Sequence, residues 1–81
     1  MTITTGSVVR AKAGRDKENF FVVLKVENGF AFIADGKRRK VENPKRKNLI
    51  HLQGTNTVLS ETMDTNRKLR NALRNFCGET L

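Results

Sequence analysis

The sequence predicts a mainly β protein: a small barrel of five short antiparallel strands, followed by a C-terminal amphipathic α-helix. Three observations predict it. Asn28-Gly29 and Asp35-Gly36 punctuate runs rich in Val, Phe and Ile. The runs between such punctuation hold five to eight residues, the length of strands and not of helices. Apolar residues at helical spacing return only after residue 64.

The elements follow in order. Residues 7–12 alternate, so Val9 and Ala11 can face inward while Val8, Arg10 and Lys12 face out. A slip of one residue would reverse that pattern. A polar connection, 13–19, contains Gly14. Strands at 20–27 and 30–34 flank Asn28-Gly29, the strongest short hairpin signal because both residues tolerate positive φ. Asp35-Gly36 then leads into a strand at 37–42, which completes a three-stranded meander. Pro44 has no amide donor and is expected to end that strand. Residues 45–48 form a short turn. A closing strand at 49–52 follows, with Leu49 or Ile50 and Leu52 inward. Five short strands leave open edges, which a small sheet removes by curling into a barrel. The barrel therefore occupies residues 1–54, with its strands within 5–54.

Residues 55–63 read as a linker, and 64–78 as the helix. Asp64 or Thr65 is placed to cap it, and Gly78 to stop it. At 100° per residue, Leu69, Ala72, Leu73 and Phe76 share an arc of about 100°, and Arg67, Arg70 and Arg74 one of about 60° on the other side. A helix this short is marginal alone, so its apolar stripe must dock, in the first instance on its own barrel.

Composition narrows the function. Hydrophobic residues at 37% and charged residues at 30% suit a folded soluble domain rather than a disordered chain. The net charge is +8, from sixteen Lys and Arg against eight Asp and Glu. Residues 1–52 hold twelve of the basic and five of the acidic side chains, so the excess lies there. Such an excess favours polyanions, because each cation placed on a phosphate releases a condensed counterion. Cys77 is the single cysteine, so no internal disulfide and no Cys-based metal site is expected. His51 has no partners at metal-ligand or triad spacing, and reads as a hydrogen-bonded strand histidine. No paired-carboxylate or phosphate-cradle motif appears. The expectation is a protein that is no enzyme, with no cofactor, no metal and no small-molecule substrate. The apolar runs are too short to span a membrane, and no leader-like stretch follows Met1. A cytoplasmic location is expected.

Three ordered segments carry a family resemblance. Gly6-Ser7-Val8-Val9-Arg10-Ala11-Lys12-Ala13-Gly14-Arg15-Asp16, with Phe21-Val22-Val23 after a spacer, resembles a KOW domain, with Gly14 at the place of its signature glycine. Ala34-Asp35-Gly36-Lys37-Arg38-Arg39 and Lys47-Asn48-Leu49-Ile50-His51-Leu52 extend the likeness. These segments together resemble bacterial KOW-domain proteins similar to ribosomal protein fourteen of the archaeal and eukaryotic large subunit. The resemblance covers about residues 6–53. It implies an SH3-like barrel, RNA binding and association with the ribosome. Residues 55–81 lie outside the resemblance.

The residues support RNA binding independently. Seven of the eleven residues 37–47 are basic against one acid, Glu42. The RNA-binding set is Arg15, Lys17, Lys37, Arg38, Arg39, Lys40, Lys45, Arg46 and Lys47, with Gly14 setting a loop conformation. If Val41 faces the core of a strand, Arg38 and Lys40 point to solvent, and Pro44 returns residues 45–47 to the same end. Phe20 or Phe21 must face outward, to cover the helix or to stack on a base. There is no Trp or Tyr and only five Phe, which favours recognition of RNA backbone and shape over splayed bases. A second reading is a protein-interaction module contacting ribosomal or transcription proteins through the barrel edge and the helix at 64–77.

Overall fold

The computed structural model describes residues 3–12, 19–60 and 64–79. They form β1 (Ser7–Ala11), β2 (Phe20–Glu27), β3 (Phe30–Ala34), β4 (Lys45–Asn48), a 3-10 turn (Leu49–His51), β5 (Leu52–Val58) and helix α1 (Asn66–Glu79). The five strands make one antiparallel sheet in the order β4-β3-β2-β1-β5.

The first hairpin matches the expectation. Asn28 and Gly29 both take positive φ, at 49° and 83°, and Glu27 pairs with Phe30 across them. The second turn does not. Residues 35–44 form a broad loop, and the fourth strand is Lys45–Asn48 instead of 37–42. The Asp35 carboxylate explains the change. One of its oxygens accepts from the Lys37 and Arg39 amides at 2.8 and 3.0 Å, and the Asp35 and Gly36 amides donate to the Arg39 carbonyl. Such local side-chain bonds compete with a strand ladder. Pro44 therefore precedes the strand, where a missing donor costs nothing, and does not end one.

The closing strand is also displaced. Residues 49–51 form the 3-10 turn, with the Asn48 side chain accepting from the Ile50 amide. Leu49 packs on the core, but Ile50 is exposed, as is His51, which lies in the turn and not in a strand. Strand β5 then runs on to Val58, through residues expected to be linker. The Thr55 hydroxyl donates to the Val8 carbonyl at 2.7 Å, so a polar segment still adds to the sheet.

Both faces of the sheet are apolar. On one face Val9, Ala11, Phe21, Val23, Ala31, Ile33 and Leu52 form the inner core. On the other, Val8, Val22 and Ala34 pack against Leu69 and Leu73 of α1. Val8, expected to face solvent, is thus fully buried beneath the helix. Phe21 points inward, and Phe20 points out to meet Phe76 with ring centroids 5.2 Å apart. The helix docks on its own sheet by the stripe that the sequence predicts.

Thr65 caps α1. Its carbonyl accepts from the Leu69 amide and its hydroxyl from the Lys68 amide, both at 3.2 Å. Lys68 also pairs with Asp64 at 3.0 Å, which holds the Asp64 carboxyl below its usual range. The helix runs to Glu79, one residue past the expected stop at Gly78, a difference within the fraying of helix ends. Thr65→Ala is expected to cost about 1 kcal/mol, read as a lower urea midpoint with an unchanged slope.

Candidate nucleic-acid interface

The basic loop is built as a closed, braced structure. The Asp35 carboxylate ties its first half together, and the Asn43 amide donates to the Lys40 carbonyl in its second half. Helix α1 then fastens it from outside. The Asn66 side-chain oxygen accepts from the Val41 amide at 2.8 Å, and its nitrogen donates to Glu42 at 2.7 Å. Arg70 donates to the Gly36 carbonyl at 3.0 Å. Val41 itself packs half-buried against the helix-side core.

Gly36 permits this close approach. Its φ is +82°, and a Cβ there would run into the Asn66 carbonyl and lie 2.9 Å from the Arg70 side chain. Only glycine meets both demands without strain.

Lys37, Arg38 and Lys40 are exposed on the loop, and Arg39 is half-buried. The remaining cations do not all join them. In β4, Lys45 pairs with Ile33 and Lys47 with Ala31, so these two lie on the inner-core side of the sheet. Arg46 pairs with Phe32 on the opposite, helix-bearing side. Strand alternation splits a triplet that was expected to return to one end of the molecule. Gly14, Arg15 and Lys17 lie outside the described residues, as do residues 61–63 of the expected linker.

Four residues join the site that the basic-cluster reading omits. Arg70 comes to the loop from the helix. On the outer face of β3, Phe30 and Phe32 are each half-exposed, and each carries a cation. The Arg46 guanidinium lies 4.5 Å from the Phe30 ring centroid, and the Lys25 ammonium 5.9 Å from that of Phe32. Lys25 also pairs with Glu27 at 2.9 Å, which holds the Glu27 carboxyl below its usual range. The Asn-Gly turn supplies the signal that could have found Lys25 and Phe32. A two-residue loop closing Glu27 on Phe30 places Lys25 opposite Phe32 by counting alone.

Among the described residues, no three His, Cys, Asp or Glu side chains gather as metal ligands would. No helix there is long and apolar enough to cross a membrane. No protein-family model matches this chain, and no curated protein is significantly similar to it.

Proposed function

We propose that this chain is a non-enzymatic, cytoplasmic RNA-binding protein of the KOW type. In this reading it associates with the ribosome and grips structured RNA by its backbone phosphates. The single observation that carries the reading is the braced loop 35–44, which presents Lys37, Arg38 and Lys40 to solvent on a fixed frame. A loop whose backbone is already fixed loses little loop freedom on meeting a phosphate, and phosphate contacts set the register of a protein on RNA.

An SH3-like barrel is the finer fold we infer. Val9, Ala11 and Phe21 are fully buried on a face that α1 does not cover, and a sheet curled on itself would shelter that face. The 3-10 turn supports the same closure. Its Leu49 amide donates to the Gly29 carbonyl and its His51 carbonyl accepts from the Lys12 amide, which bridges the gap between the β4 and β5 ends. The protein-interaction reading keeps the barrel edge but not the helix stripe, because Leu69 and Leu73 are already buried against the sheet.

The test is binding to ribosomal RNA fragments across a salt series. With four or so phosphate contacts, affinity is expected to fall about a hundredfold between 50 and 200 mM salt. Changing Lys37, Arg38 and Lys40 together to Glu is expected to flatten the log–log salt slope by about 2.7 and to leave the circular dichroism unchanged. Affinity indifferent to both salt and charge reversal overturns the proposal.

A further inference from the structure

We propose that Phe30, Phe32, Arg46 and Lys25 form a second RNA contact, a platform on which unpaired nucleobases stack beside the phosphate-binding loop. This rests on the RNA-binding reading above and names what the RNA must offer: at least one or two unpaired nucleotides next to its gripped backbone.

The placement comes from strand parity. Ala31 and Ile33 face the inner core, so Phe30 and Phe32 face out on the other side. That side is shared with α1, but the helix packs over the Ala34 end of β3 and the neighbouring Val8 and Val22. The Phe30 end lies beyond it. Two aromatic rings two residues apart on a strand sit about 6–7 Å apart along one face, which is a stacking surface and not a core contact.

The cations fit that use. Arg46 lies over Phe30 at 4.5 Å, within the distance of a strong cation–π contact. A guanidinium is planar and weakly hydrated, so its free side can take a base while its other side rests on the ring. The local charge draws phosphate less strongly than the basic loop does, because a carboxylate offsets one of the two cations. Glu27 pairs with Lys25 on the strand beside Phe30 and Phe32. A phosphate there would meet a carboxylate, whereas an uncharged base would not.

The platform and the loop are also consecutive. Phe32 precedes Asp35 by three residues of extended chain, about 10 Å. Arg46 follows the same loop by entering β4. An RNA strand held by Lys37, Arg38 and Lys40 therefore passes the rings within a nucleotide or two. Scarce aromatics argue against base stacking when counted over the whole chain. Two of the five Phe standing on one surface, each under a cation, argue for it.

The experiment compares a single-stranded RNA of about ten nucleotides with the same oligonucleotide carrying two adjacent abasic riboses, which keeps every phosphate. A fully paired RNA hairpin serves as the third probe. Wild-type protein is expected to bind the intact strand about tenfold or more tightly than the abasic one. Phe30→Leu with Phe32→Leu is expected to erase that difference, leaving salt dependence and hairpin affinity in place. Arg46→Lys, which keeps the charge but not the plane, is expected to lose part of it. If the double variant folds poorly, the intact-versus-abasic ratio on wild type decides alone. Equal affinity for intact and abasic strands, with salt dependence intact, overturns the platform and leaves the phosphate reading standing. No RNA binding by wild type under low salt overturns both.

Discussion

Phe21→Ala is expected to cost about 3–5 kcal/mol, the range for truncating a large buried aromatic. Phe21 is fully buried in the inner core and pairs with Val9, which is buried as completely. A chain of 81 residues at about 0.05–0.15 kcal/mol per residue has only about 4–12 kcal/mol in total. The variant therefore loses between about a quarter and all of its stability, measured as the urea midpoint or as loss of cooperative unfolding. Phe20→Ala is the matched control. Phe20 is half-buried and touches Phe76 at the sheet–helix seam, so its truncation is expected to cost clearly less. Equal costs at the two positions would contradict the assignment of faces along β2, because one residue of slip exchanges them.

Gly36→Ala is expected to separate the basic loop from the helix. A left-handed backbone costs a residue with Cβ about 1–2 kcal/mol by itself. Here the added carbon also presses on the Asn66 carbonyl, a backbone atom in the first turn of α1 that cannot swing aside. Gly29→Ala isolates the second effect. Gly29 has nearly the same φ, +83° against +82°, but nothing lies within 4 Å of its would-be Cβ. The excess loss at Gly36 over Gly29 measures the crowding between loop and helix. Amide exchange at Val41 and Arg39 is expected to speed up in Gly36→Ala and not in Gly29→Ala. RNA affinity is expected to fall several-fold with it, since a loosened loop backbone must be ordered again on binding. Unchanged exchange in the variant would show that the loop holds its shape without the helix.

These contrasts also mark how far the sequence was legible. Strands β2 and β3 and their turn were readable to the residue, because Asn-Gly leaves few alternatives. The helix and its buried stripe were readable, as was a cap at Asp64 or Thr65, which the structure gives to Thr65. The loop after Asp35 was not. Asp-Gly is normally a two-residue turn, and here the carboxylate reaches two amides further on while a side chain 25 residues away takes a third. No local window contains Asn66. The same limit hid the second core. Val8 looked solvent-facing because alternation was read against a single interior, and a strand buried on both faces does not alternate. Polar β5 is hard to read because Gly54 and Asn56 disfavour a strand and interrupt the signal of Thr55 and Thr57, so its pairing with β1 decides its state. The basic residues were found as a run, but their grouping was not legible. Four sit on the loop, three of them exposed, while those of β4 divide between two faces of the sheet.

The strand order has a kinetic consequence. Strand β1 lies inside the sheet, between β2 and β5, and its pairing with β5 joins residues some forty to fifty positions apart. The β2–β3 hairpin closes over two residues and can form within microseconds. The β1–β5 contact must instead close a long loop, and non-local pairing of this kind slows folding by orders of magnitude relative to helical domains of the same size. A growing chain would expose the free edge of β1, with Val8 and Val9 side by side, until Leu52–Val58 has been synthesised. That interval is when edge-to-edge pairing between neighbouring chains competes most strongly. The polar, threonine-rich character of β5 suits its place as the last strand: it seals the edge without adding a sticky one of its own.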